Sequence, residues 1–241
     1  MTLERQHPEI ARTNEYHQPL GADLGEWQGA AHPDKRTLEG RFVRLEPLAA
    51  EHAQPLFDSL GGDENADLWT YRLDLTPPDS VAEAARLLAA GAGDTDHVTY
   101  AVIPLTSSQA SGMTSLYRID PGNGSIEVGG IIYARNVQRT PASTEATYLV
   151  MKHVFEDLGY RRLEWKLDSC NEPSARAAER LGFSYEGRHR NAIAYKGRNR
   201  DTDWYSMLDT EWPEAKSRLE AWLAPENFTD EGEQREPLAR A

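Results

Sequence analysis

Between residues 126 and 168 the spacing of apolar residues changes from two to about 3.6 and back to two, and few architectures accommodate that change. Residues 125–133 (S-I-E-V-G-G-I-I-Y) read as a strand returning from the turn Asp120-Pro-Gly-Asn-Gly124, so they form a hairpin with the strand 111–119 before it. A turn over 134–141 leads into a helix over 141–158. Its apolar positions are Tyr148, Met151, Val154, Phe155 and Leu158, and Gly159 stops it. Residues 161–168 (R-R-L-E-W-K-L-D) then alternate as a strand. One strand–helix–strand unit set among hairpins predicts an α+β domain whose mixed sheet is largely antiparallel and flanked by helices.

The rest of the chain agrees with that frame. Residues 41–48 alternate as a strand ended by Pro47, and 50–60 carry helical spacing closed by Gly61-Gly62. Residues 79–90 read as a helix with Pro78 before it and Gly91 after it, and 98–103 as a strand. Downstream come a short helix 174–181 stopped by Gly182, strands 183–195 and 203–209, and an amphipathic helix 212–223. The domain is expected over 39–224, with an N-terminal extension (1–38) of little periodicity and an acidic tail (225–241).

The formal net charge of −13 argues against partners rich in phosphate, so neither nucleic acid nor an anionic membrane is expected. No stretch approaches the roughly 20 apolar residues that span a bilayer, and the polar first residues lack the apolar segment of a secretion signal. Cys170 is the single cysteine, which excludes an internal disulfide and fits a reducing compartment, so a cytoplasmic location is expected. As a side chain Cys170 reads as a small buried thiol rather than a nucleophile. Seven scattered histidines show no ligand spacing, so no metal is expected.

The chemistry concentrates at the start of the helix beginning at Pro141. Thr140 suits the cap and Pro141 the first helical position, where its missing N–H is no loss. Free N–H groups and the helix dipole there form an anion site, and Gln138, Arg139, Thr140, Ser143 and Thr144 add donors. A pyrophosphate fits. On spacing alone, a capped helix beside an exposed arginine is the stronger reading. Gly122-Asn-Gly124 precedes a strand, so it is a turn and no phosphate loop.

Three further stretches shift that balance. Gln138-Arg139-Thr140-Pro141, Asn171-Glu-Pro-Ser174 and Ala178-Glu-Arg-Leu-Gly-Phe-Ser-Tyr-Glu-Gly187, in this order of elements, resemble the GNAT superfamily of N-acetyltransferases. With Lys196-Gly-Arg-Asn-Arg-Asp201 the likeness is to the RimJ/RimL branch, which includes ribosomal-protein N-terminal acetyltransferases. It covers about residues 40–223. The resemblance implies a GNAT-like fold and acetyl-CoA as co-substrate. The phosphates would be held at Gln138, Arg139, Thr140, Ala142 and Ser143, although Pro141 and Ser143 stand where the family has small residues. The strand edge 131–133, with Ile132 and Tyr133, would pair with the pantetheine arm, and Asn171 would hydrogen-bond it. Gly129-Gly130 marks either a distortion that frees this edge or tight packing.

The implied reaction is direct transfer of an acetyl group to a primary amine with general acid and base help, the acceptor being a small molecule or a protein N terminus. Homodimers are common among such proteins. An ammonium must first lose a proton, and Glu127, on the strand entering the cofactor turn, is the candidate base. Otherwise it is an ordinary exposed strand carboxylate. Ser174 is the candidate acid, or an ordinary helix start. The glutamate that some relatives carry is absent from 188–193 (R-H-R-N-A-I), where His189 is a weaker substitute. Trp69 and Tyr71 line the acceptor side or anchor the core. The competing functions are an acyl-CoA-binding sensor or interaction module without turnover, and transfer of another short acyl group.

Overall fold

Alternation along the strands buries both faces of one sheet. In a computed structural model that describes residues 12–73, 75–92, 97–229 and 232–238, Val98–Pro104 gives Tyr100 and Val102 to one core and Ala101 and Ile103 to another. The chain runs β1 (Arg12–Thr13), β2 (Pro19–Leu20), β3 (Leu38–Glu39), β4 (Val43–Pro47), α1 (Ala53–Leu60), α2 (Val81–Ala92), β5 (Val98–Pro104), β6 (Gly112–Asp120) and β7 (Ser125–Tyr133). It continues with α3 (Pro141–Lys152), β8 (Arg162–Asp168), α4 (Glu172–Leu181), β9 (Ser184–Tyr195), β10 (Arg198–Leu208) and α5 (Trp212–Leu223). The first eleven residues and parts of the acidic tail lie outside the described residues.

Among the described residues eight strands form the main sheet in the order β3-β4-β5-β6-β7-β8-β10-β9, and of these only β7 and β8 pair in parallel. This is the expected α+β sheet. Its larger core joins Val43, Leu45, Leu116, Val128 and Leu163 to Val150 and Met151 of α3 and Leu219 of α5. The smaller core packs Leu56 and Leu60 of α1, Leu88 of α2 and Trp69 from the segment between these helices against Ile103 and Ile132. The helix α3 is tied to the start of β4 by Glu145, whose carboxylate accepts the backbone N–H groups of Arg41 (2.8 Å), Phe42 (2.6 Å) and Val43 (3.0 Å). A Cβ at Gly40 would stand 2.5 Å from that carboxylate, so the close approach requires glycine.

Several boundaries differ from the sequence expectation. Helix α2 runs through Gly91 to Ala92, because a glycine within helical spacing weakens a helix without ending it. Helix α4 starts at Glu172, capped by Asn171, whose side-chain oxygen accepts the N–H of Ser174. Strand β10 starts at Arg198 rather than 203, since Lys196 and Gly197 (φ 47° and 69°) make a tight turn that pairs Arg198 with Tyr195 at once. A 3-10 stretch over Asp63–Trp69 and a π-helical turn over His153–Asp157, closing α3, had no period of their own to announce them.

Candidate active site

The sheet opens at its centre. β7 and β8 share three rungs, Ser125↔Arg162, Ile126↔Leu163 and Glu127↔Glu164, and then part company. β8 continues to Asp168 against β10, and β7 continues to Tyr133 against β6. The cause is a bulge: Met113 pairs with Ile132 but Ser115 with Gly129, so β7 carries one extra residue. Gly130 absorbs it at φ 62°, and a Cβ there would meet the Tyr117 hydroxyl at 2.5 Å and Ser115 Oγ at 3.0 Å. Both readings of this glycine pair therefore hold: it distorts the strand and it admits close packing. Beyond Glu127, the edge of β7 that faces β8 leaves backbone groups without a ladder partner, a ready template for an extended amide-bearing ligand.

One end of this opening is the N terminus of α3. Pro141 takes the first turn and Thr140 the cap position, yet no side chain caps the helix. The Thr140 hydroxyl donates to Val137 O (2.7 Å) and the Ser143 hydroxyl to Thr140 O (2.8 Å). Both hydroxyl hydrogens are thus turned inward, and neither serves as the outward donor expected from the sequence. Gln138 is turned back too, its Nε2 donating to Tyr133 O (2.8 Å) and bracing the loop against the end of β7. Arg139 is exposed and holds φ 60°, a left-handed backbone that ordinary residues seldom adopt. Ala142 is buried in the first turn. What remains for an anion is the Arg139 side chain, the uncapped helix end and its dipole. Arg180 of α4, absent from the sequence reading, adds a second guanidinium: its Nη2 donates to Thr144 Oγ1 in the same turn (3.1 Å). Burial and the neighbouring Arg218 depress its pKa, and no carboxylate of the described residues opposes that shift.

At the fork itself stands Glu127, on the last shared rung. It is buried, not the exposed strand carboxylate that alternation allowed, and Lys166 Nζ lies 2.8 Å from its Oε2. Burial pushes its carboxyl above the ordinary range, while Lys166 and then Arg118 pull it part of the way back. Lys166 and Arg118 in turn stack over the Trp204 ring, 4.8 Å and 5.4 Å from its centre. His189 packs on the same ring at 5.0 Å, within a cleft of about 420 Å³ lined by Glu186, Gly187, Arg188, His189 and Trp204. The pairing of Glu127 with Lys166 was invisible in the sequence, because it depends on the β7–β8 register.

Ser174 and Asn171 meet at the start of α4. Ser174 Oγ accepts the indole N–H of Trp165 (3.0 Å), which leaves its own hydrogen uncommitted among the contacts of the described residues. Asn171 spends its side-chain oxygen on the Ser174 N–H (3.3 Å), so its amide hydrogens stay available. The two aromatic residues expected on the acceptor side separate. Trp69, 3% exposed, donates its indole N–H to Leu60 O (2.8 Å) and is a core anchor. Tyr71 reaches across the opening, its hydroxyl donating to Cys170 O (2.9 Å). Cys170 is exposed rather than buried: it sits in the turn after β8, where Asp168 accepts its N–H. Among the described residues no group of three or more His, Cys, Asp or Glu side chains is arranged to hold a metal ion, and no helix is long and apolar enough to cross a membrane.

Known proteins share this fold. The family model for the acetyltransferase (GNAT) domain matches residues 43–184. A GCN5-related N-acetyltransferase structure from Brucella melitensis superposes with a TM-score of 0.86 at 44% identity, covering 89% of this chain and 97% of that one. A structure assigned to the GNAT family from Chromobacterium violaceum gives 0.75 at 36% identity, covering 81% and 97%. The chain belongs to the GNAT acetyltransferase family. Within the family it is similar to YdaF of Bacillus subtilis, a candidate ribosomal N-acetyltransferase, at 33% identity over 101 residues, 42% of this chain and 55% of that protein. This supports the RimJ/RimL-like branch, although the chain spans little more than half the length of that curated relative.

Proposed function

We propose that the protein transfers the acetyl group of acetyl-CoA directly to a primary amine. The observation that carries this reading is the separation of β7 and β8 immediately beyond Glu127, beside the uncapped start of α3. The thioester supplies an activated acyl group. The chain holds it in three places: Arg139 with the first turn of α3 for the phosphates, the β7 edge at Ile132 and Tyr133 for the amides of the arm, and the Asn171 amide hydrogens for a carbonyl along it.

Glu127 takes the proton from the attacking ammonium, through water where the amine does not reach it. Its burial makes it a stronger base than a surface glutamate, and Lys166 and Arg118 favour its ionised form. Ser174, fixed by Trp165, keeps its hydrogen for the departing thiolate. No covalent enzyme intermediate is needed. The acceptor is a small amine or a protein N terminus, and the description of YdaF supports the latter.

The 2.8 Å ion pair of Lys166 with Glu127 favours a second reading, coenzyme A binding without turnover, because it already occupies the base. Thiol release from acetyl-CoA in the presence of amines decides between them. The transfer reading predicts release that depends on amine and on Glu127. Tight binding of coenzyme A with release at background for every amine would overturn it.

A further inference from the structure

The loop between the 3-10 stretch and α2 carries a guanidinium that no carboxylate of the described residues neutralises. The segment leading into it is held at three points. The Trp69 indole N–H donates to Leu60 O, Lys196 Nζ from the β9–β10 turn donates to Trp69 O (2.8 Å), and the Tyr71 hydroxyl donates to Cys170 O. Arg72 follows directly, its N–H donating to Trp69 O (3.1 Å). Its side chain is half-buried, with Nε shielded from solvent and lacking an acceptor. Burial depresses its pKa, and the Tyr117 hydroxyl is what opposes that shift; no carboxylate lies against it among the described residues. A desolvated cation without a counter-ion is costly and gives the fold nothing in return.

Tyr117 connects this charge to the opening. It pairs with Glu127 across the β6–β7 ladder, and its hydroxyl lies 2.5 Å from the place a Gly130 Cβ would occupy. Gly130 is the bulge that frees the β7 edge. The Arg72 guanidinium therefore stands one hydroxyl away from the bulge, on the strand that carries the proposed base.

We infer that the acceptor carries a carboxylate near its amine and that Arg72 binds it, an inference that rests on the acetyl-transfer reading. A guanidinium presents paired N–H donors that match a carboxylate, and a buried one whose Nε lacks an acceptor and which meets only the Tyr117 hydroxyl among the described residues is accounted for by a ligand that brings a carboxylate. With a net charge of −13 the protein repels a carboxylate at long range, so selection for one must come from a local cation. In an acceptor of this kind the ammonium faces Glu127 and the carboxylate faces Arg72. The carboxylate belongs to a free amino acid or to an acidic residue at a peptide N terminus.

The test compares L-amino acids with their amides, and peptides starting with Asp with those starting with Asn, on the wild-type protein and on Arg72→Gln. The expected wild-type kcat/KM favours the carboxylate form of one of the two pairs by about 10- to 100-fold, the range of a charged hydrogen bond. Whichever pair shows it identifies the source. Arg72→Gln should abolish the preference by lowering kcat/KM for the carboxylate form far more than for the neutral form, and should not lower the melting temperature. Equal rates for acid and amide in both pairs, with turnover intact, would sink the inference and leave the transferase standing. So would an equal loss for both forms together with a lower melting temperature, which assigns Arg72 to the fold. Calorimetric titration of N-acetyl amino acids and N-acetylated Asp-leading peptides, each against its amide, into coenzyme-A-loaded protein covers an inactive protein. Carboxylate binding that Arg72→Gln removes would support the inference while the transferase reading fails; no such binding would overturn it.

Discussion

Replacing Glu145 by glutamine tests how α3, and with it the proposed phosphate site, is fixed to the sheet. The carboxylate accepts three backbone N–H groups, one on Oε1 (Arg41) and two on Oε2 (Phe42 and Val43). Glutamine keeps one acceptor oxygen. In its best orientation the oxygen retains the pair from Phe42 and Val43, now as neutral bonds, and the NH₂ faces the Arg41 N–H. Two bonds fall from about 2 to about 1 kcal/mol each, and a third is lost at about 1–2 kcal/mol with its donor left unsatisfied. The sum is about 3–4 kcal/mol. At roughly 2–4 °C per kcal/mol for a chain of this size, the melting temperature should drop by about 10 °C. Calorimetry and urea unfolding followed by circular dichroism measure it, with an unchanged m-value confirming that the same structure is being unfolded. A shift within 2 °C would refute the claim that these three bonds anchor the helix.

Other outcomes follow from the site. Glu127→Gln should lower kcat about 10²- to 10⁴-fold with coenzyme A affinity retained, measured by thiol release and by titration. Because the Glu127 pKa is raised and the base must be ionised, the wild-type rate should climb with pH through a midpoint above the ordinary carboxylate value, a limb that the variant lacks. Arg139→Ala should weaken coenzyme A binding, and the loss should shrink with added salt; unchanged affinity would move the phosphates elsewhere. The exposed Cys170 should react with iodoacetamide in the folded state, and Cys170→Ser should leave turnover unchanged.

Much of the fold was legible because its signals are periodic. β7 and α5 lie where the sequence spacing sets them, and the strand–helix–strand unit fixes the order of its neighbours. Pro141 marks the start of α3 for a reason of local chemistry alone. The contacts that fill the site were not legible, because they depend on pairing between distant strands. Nothing in the alternation of residues 125–133 tells that Glu127 will be buried and paired with Lys166, which stands on β8 just beyond the last parallel rung. Trp69 and Tyr71, two residues apart, part ways because the 3-10 stretch turns the first into the smaller core and the second across the opening. The hydroxyls of Thr140 and Ser143 are common donors by type, but the loop geometry spends them internally. Arg72 left no trace at all, as an arginine in a loop reads as solvated.

The three rungs between β7 and β8 also bear on mechanics. Five strands, β3 to β7, lie on one side of this seam and three, β8, β10 and β9, on the other, and among the described residues the ladder between the two panels is confined to those rungs, with the Arg161 N–H donating to Gly124 O just before them. An extended ligand that pairs with the free edge of β7 would act as a temporary strand in the gap. It would slow amide exchange in the second half of β7 and couple the two panels, and the thermal stability of the protein would rise with the logarithm of ligand concentration. In such an arrangement the co-substrate is a part of the sheet for as long as it stays bound.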